Sequence, residues 1–198
     1  MTSFLRELEE QRWDDHRYYH HSRINQSLHL VSAISFLVTY LLLFSAPVAA
    51  ALVGWLVAMV TRQVGHFFFE PKGYDEANQA THEEKEAVKV GYNLERKAVL
   101  LAIWALSPVA VWLARWAGGT GPVDGPAFLH DVSTVWIALG IGAVVFRMLQ
   151  LFASKGVQTG VVWVTKILTD PFHDIKLYHR SPLHLLRGEL LEPRAVPR

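Results

Sequence analysis

The sequence contains no cysteine, which excludes disulfides, thiolate nucleophiles and thiolate metal ligands. It has little net charge, formally +1 over 198 residues, so it lacks the broad basic field that draws a protein to nucleic acid. No nucleic-acid partner is expected. The first 27 residues lack an apolar core segment and carry charges from Arg6 to Arg23, so they do not read as a signal peptide. His82-Glu83-Glu84-Lys85-Glu86 lacks the second histidine of a zinc-peptidase helix, and Gly118-Gly119-Thr120-Gly121 lacks the Gly-Lys-Ser/Thr of a phosphate loop.

What is abundant is apolar. Hydrophobic residues make up 51% of the chain, with seven tryptophans and ten phenylalanines. Leu28 to Met59 is almost wholly apolar, and as one helix it would exceed a hydrocarbon core of about 30 Å. Ser45-Ala46-Pro47 interrupts it near the middle, where proline ends or kinks a helix. Two antiparallel spans at about 28–46 and 48–65 are expected, a single tilted helix being the alternative. Further spans are expected at about 98–117 and 132–153, with Gly140 and Gly142 permitting close packing. The expected fold is all-α: one integral membrane domain, residues 1–198, a bundle of about four transmembrane helices. Around the spans, a polar helix is expected over 4–27, a surface helix over 75–97 and a turn-rich loop at 118–126. An interfacial or partly buried helix is expected over 155–168, then a polar tail in which Asp170-Pro171 starts a new helix.

This topology puts every Lys and Arg except Arg115 and Arg147 on one side. By the positive-inside rule that side is cytoplasmic; a bacterial inner membrane with both termini inside is the expected location. Arg147, inside a span, needs a carboxylate partner or must snorkel. Every histidine except His130 falls on the same side as the basic residues.

Those histidines carry the candidate chemistry. His21, Asn25 and His29 are spaced i, i+4, i+8, one stripe on a helix, and His16 and His20 form a second i, i+4 pair. Neutral imidazole is the commonest metal ligand, and the Asn25 amide can orient a ligand or a substrate. A plain polar helix end meeting lipid head groups is the competing reading. His66 and Glu70 share a helix face after the second span, an imidazole beside a carboxylate, as in sites that leave iron positions open for oxygen and substrate. Asp170-Pro171-Phe172-His173-Asp174, with His179 and His184 beyond, offers further ligands or an ordinary amphipathic tail. The candidate metal ligands are His20, His21, His29, His66, His173, His179 and His184, with Asn25 and Glu70 as catalytic candidates. His16, Asp174 and His82 are candidates for orienting the ligands.

Tyr19-His20-His21-x3-Asn25-x3-His29 before a membrane hairpin, with Gly65-His66-x2-Phe69-Glu70 after it, resembles the Mpo-like membrane proteins. That family includes an iron-dependent 2-hydroxy fatty acid dioxygenase of fatty acid α-oxidation. The likeness is confined to short blocks within residues 13–71. Glu70 is followed here by Pro71-Lys72-Gly73-Tyr74 rather than the family's basic stretch and Pro-Ala pair. The resemblance implies a membrane fold with Fe2+ held by His21, His29 and His66, with His20 as a further ligand. It implies O2 and a fatty-acid or other lipid partner, a 2-hydroxy acid chelating the iron and being cleaved between C1 and C2. Two readings stay open beside it. One is a di-iron lipid hydroxylase or desaturase, with two ions; the other is a non-enzymatic membrane protein binding haem or a metal.

Overall fold

The computed structural model describes residues 3–70, 73–75, 78–118 and 124–193. It is 81% helical, and four helices are long and apolar enough to cross a membrane: Arg23–Leu42, Pro47–Phe68, Leu94–Ala117 and Gly125–Ser154. In chain order, α1 is Phe4–Tyr19 and α2 Arg23–Leu42. The second span, α3, is Pro47–Phe68. The short α4 is His82–Val88, α5 is Leu94–Ala117 and α6 is Gly125–Ser154. Finally, α7 is Val157–Tyr178 and α8 Ser181–Leu186.

The solvent for α2, α3, α5 and α6 can be read from what they expose. Phe44 is 93% exposed and Leu41 80%, and Val99, Ile103, Leu106, Val109 and Leu113 form an outward stripe on α5. The buried set is the reverse: Asn25, Gln26, His29, Ser32, Ser133 and Arg147 all face inward. A helix in hydrocarbon gains nothing by hiding leucine but must turn its polar groups inward, and this chain is arranged accordingly, although Ser32 Oγ and Ser133 Oγ are buried without a hydrogen-bond partner.

Pro47 starts α3 as the expected hairpin turn requires, its missing N–H falling where no helical partner exists. Val53–Met59 is wound as π-helix, and Gly54 lies against Thr39 of α2, where an added Cβ would come within 3.2 Å. In the bundle core the Trp55 and Trp104 rings stack at 5.4 Å, and Trp136 packs on Trp104 at the same distance. Two of the three indole N–H groups find acceptors, while Trp104 Nε1 is buried without one. Trp55 donates to the Trp136 carbonyl at 2.8 Å, and Trp136 donates to Ser107 Oγ at 2.9 Å.

Four expectations are corrected. The polar helix over 4–27 is broken at 20–22. Ser22 caps a new helix by accepting from Asn25 N–H, and the C-terminal tail pins the break through Arg23 N–H to the Leu190 carbonyl, 2.9 Å, and Glu192 N–H to that of His21, 2.9 Å. The helix expected over 75–97 shrinks to α4. A Thr81/Glu84 capping box starts it, and Asp75 and Ala80 pair across a turn before it. Asp170-Pro171 starts no helix: α7 runs through Pro171 to Tyr178, because Asp170 is fixed by Lys166 at 2.6 Å and Arg12 at 3.5 Å. The fourth span begins at Gly125, not 132. Residues 119–123 of the expected turn-rich loop lie outside the described residues.

Arg147 follows neither expected course. Its Nε and Nη2 donate to the Val90 carbonyl at 3.0 and 2.7 Å, and Nη2 also reaches that of Gly91 at 3.2 Å. It thus ties the loop between α4 and α5 to the bundle, satisfying a buried cation with carbonyl dipoles instead of a carboxylate. The pieces flanking the spans meet at one end. There α1 packs on α7 and α2 on α7 and α8, and the Tyr19 hydroxyl donates to the Lys85 carbonyl of α4 at 2.8 Å.

Candidate metal centre

The break after α1 builds the site. Because the chain is not helical at 20–22, His20 turns inward and the expected stripe of His21, Asn25 and His29 does not form. His20 lies 4% exposed, its backbone carbonyl accepting from Gln26 Nε2 at 2.7 Å. From α2 comes His29, fully buried, and from α3 comes His66. One ligand nitrogen of each lies within 4.8 Å of the other two. The ring centroids of His29 are 4.2 Å from His20 and 4.9 Å from His66.

Proton positions follow from the neighbours. His20 Nδ1 faces the Asp15 carbonyl at 2.8 Å; a carbonyl only accepts, so this nitrogen carries the proton and Nε2 presents a lone pair. His66 Nδ1 likewise donates to Glu70 Oε1 at 3.0 Å, freeing its Nε2. His29 Nδ1 is buried without a hydrogen-bond partner, 3.8 Å from Asp174 Oδ2. Yet the Nε2 atoms of His20 and His29 stand 3.2 Å apart. If His29 Nε2 bears the proton, its Nδ1 lone pair is aimed at a carboxylate; if Nδ1 bears it, two Nε2 lone pairs face each other. A cation removes the conflict. It draws the Nε2 lone pairs together and lets each Nδ1–H point at an oxygen, the outer-shell pattern that fixes metal-bound imidazoles. Two bonds of about 2.1 Å meeting near a right angle put their nitrogens about 3 Å apart, close to what is found. The residues therefore fit a metal, and an all-imidazole set with open positions suits iron, zinc or copper.

Electrostatics keep the donors competent. Burial pushes the His20 pKa well below its ordinary value, and neighbouring His29 adds to this, so the ring is neutral and able to ligate at neutral pH. Tyr178 closes the cluster from α7, its ring 5.9 Å from His20 and its hydroxyl bonded to His16 Nδ1 at 3.1 Å. Burial, reinforced by Asp174, raises that phenol well above its usual range. Burial also raises Glu70, against the pull of Lys89 3.6 Å away.

The other candidates lie elsewhere. His21 Nε2 donates to the Arg17 carbonyl. The exposed His179 donates to the Lys176 carbonyl at 3.0 Å, and His184 to Glu189 at 2.8 Å. His173 lies behind Asp170 and Asp174, in a small cleft with Arg12. Asn25 braces the break: Nδ2 donates to the Tyr19 carbonyl at 2.9 Å, while Oδ1 is buried against Gly65. Glu70 stands behind His66 as its orienting partner. Asp174 takes the same place behind His29 and is itself bonded by Arg62 at 3.1 Å. His16 reaches the cluster only through Tyr178, and His82 is not part of it. Sequence reasoning passed over the Asp15 carbonyl, Arg62 and Tyr178; only the spacing of Tyr178 four residues after Asp174 could have signalled one of them.

The cluster adjoins a cavity of about 220 Å³ reaching from α1 into the bundle. Its walls include Phe36, Met59, Leu100, Leu101, Trp163 and Ile167, and His66 lines it.

Compared with models of known families, with curated proteins and with solved structures, the chain matches none. Fold and site by themselves define the class: a helical membrane protein with four candidate spans, in which three buried histidines from α2, α3 and the break before α2 can hold a metal ion.

Removing the carboxylate behind His66 tests the second layer. Glu70→Gln is expected to weaken metal binding about tenfold and Glu70→Ala up to about 100-fold, read by competition with a chelating dye. Equal affinity in all three proteins would show that Glu70 does not orient His66.

Proposed function

We propose that the protein is an iron-dependent membrane oxygenase that cleaves 2-hydroxy fatty acids between C1 and C2, with both termini cytoplasmic. The observation that carries this reading is the convergence of His20, His29 and His66, with Nδ1 of His20 and of His66 bonded to an oxygen, beside a cavity with apolar walls. The residue blocks shared with the Mpo-like proteins supply the choice of iron and of acid.

The overall reaction balances without an external reductant: a 2-hydroxy acid and O2 give the acid one carbon shorter, CO2 and water. Ferrous iron, when bound, supplies the one-electron chemistry that lets dioxygen react with a closed-shell acid. The chain does the rest. The Asp15 carbonyl and Glu70 hold two imidazoles with their lone pairs inward, Tyr178 covers the cluster, and the apolar part of the cavity offers room for an acyl chain. Among the described residues a single cluster of three histidines occurs, which favours one ion and this reaction over a di-iron hydroxylase, which needs more ligands and an electron donor.

Protein purified in detergent is expected to contain about one iron per chain, and to consume 2-hydroxypalmitate only in the presence of O2, releasing pentadecanoate. Undiminished turnover by metal-free protein would sink the proposal.

A further inference from the structure

Four cations line the cavity: Arg62, Lys89, Lys97 and Lys166. Three are engaged. Arg62 is paired with Asp174 at 3.1 Å, Lys166 with Asp170 at 2.6 Å, and Lys89 with Glu86 at 3.0 Å while also lying 3.7 Å from the Tyr19 ring centre. The Lys97 side chain, one turn into α5, has no hydrogen bond or ion pair among the described residues. Glu70 and Asp15 act on it electrostatically but neither forms an ion pair with it, and an amine at the edge of an apolar cavity is costly to leave without a bonded partner. Nearby, Gln63 is also poorly met: its Nε2 contacts the Met59 thioether at 3.2 Å and its Oε1 is buried without a partner.

The part of the cavity that enters the bundle is apolar. Trp55 and Gly140 line it, and a Cβ at Gly140 would meet only the Trp55 ring, at 3.9 Å. The space is thus polar and cationic where α1 and the loop before α5 cover it, and hydrocarbon-like where it enters the bundle. Its volume exceeds the roughly 150 Å³ of a dry cavity that holds benzene, enough for one acyl chain segment and too little for a two-chain lipid.

We infer that this cavity binds a single-chain fatty acid, with Lys97 Nζ holding the carboxylate beside His66 and the chain running toward Trp55 and Gly140. The inference deepens the oxygenase reading and rests on it for the acid class of the ligand; the Lys97 side chain without a bonded partner and the apolar inner lining stand on geometry. Lys97 would set selectivity for acids over neutral lipids, and Gly140 would set the chain length.

The test is equilibrium binding of palmitate and hexadecanol to the full chain in nanodiscs of neutral phosphatidylcholine, with metal content and thermal unfolding measured alongside. Wild type is expected to bind palmitate at least about tenfold more tightly than the alcohol, the worth of a charge-assisted hydrogen bond. Lys97→Gln should erase that preference by weakening palmitate alone. Gly140→Leu should keep the preference for acids but shift the optimum toward decanoate. Equal affinity for acid and alcohol in wild type, or palmitate binding unchanged in a folded Lys97→Gln protein, would overturn the assignment. Should Lys97→Gln fail to fold, an unshifted chain-length optimum in Gly140→Leu would overturn it instead. Selective palmitate binding without turnover of 2-hydroxypalmitate would leave this site standing and remove the oxygenase reading; turnover that ignores Lys97 and Gly140 would do the reverse.

Discussion

His29→Ala is expected to lose metal binding by on the order of 100-fold, while His21→Ala and His179→Ala stay within about twofold of wild type. The size follows from sharing the ~10–16 kcal/mol of a four-ligand zinc site among its ligands, about 3 kcal/mol each. The contrast follows from the structure: His29 is fully buried with its Nε2 3.2 Å from that of His20, whereas His21 and His179 spend their ring nitrogens on backbone carbonyls. Thermal unfolding reads the difference, since a ligand stabilises by RT ln(1 + [L]/Kd). At a metal concentration about a thousandfold above the wild-type Kd, the wild type gains about 4 kcal/mol. The same concentration is only about tenfold above the Kd of His29→Ala, which then gains about 1.4 kcal/mol. If His21→Ala loses as much as His29→Ala, the ligand set drawn from the structure is wrong.

The second large effect concerns a residue with no side chain. Gly65→Ala is expected to destabilise the protein by about 2–3 kcal/mol, the usual scale of overpacking, and to weaken metal binding at the same time. A Cβ at position 65 would sit 2.1 Å from Asn25 Oδ1 and 3.3 Å from His29 Cδ2. Asn25 cannot simply rotate away, because its Nδ2 is bonded to the Tyr19 carbonyl at 2.9 Å. The two helices must therefore separate, and His29 moves away from His66. Adding Asn25→Ala should recover part of both losses, a coupling that a double-mutant cycle measures. Gly142→Ala is the control: nothing lies within 4 Å of its added Cβ, so it should be neutral or stabilising by about 0.5–1 kcal/mol. Equal stability of Gly65→Ala and wild type would show that α2 and α3 do not need this approach.

Much of the framework was legible without coordinates. Uninterrupted apolar runs, one proline at Pro47 and the charge distribution give four spans and their hairpin, because hydrocarbon enforces a simple rule on any helix that crosses it. Histidines delivered to one end of the bundle followed from the same topology. The pairing of His66 with Glu70 was legible too: Glu70 lies two residues past the end of α3, yet the i, i+4 spacing still brings the carboxylate to the imidazole.

The sequence alone could not choose between His20 and His21. Helical periodicity put His21 in line with Asn25 and His29, and that would hold if the helix ran on through residue 22. It is a tertiary contact that decides otherwise: the tail at Leu190 and Glu192 takes the backbone groups of Arg23 and His21, the helix restarts on Ser22, and the break turns His20 inward. Likewise Pro171 reads locally as a helix start, but the Lys166 and Arg12 contacts to Asp170 carry α7 through it and place Asp174 behind His29 and Tyr178 against the cluster. Local pattern therefore determined which segments enter the membrane and where imidazoles gather. Which three imidazoles share one point was decided by contacts between residues more than a hundred positions apart.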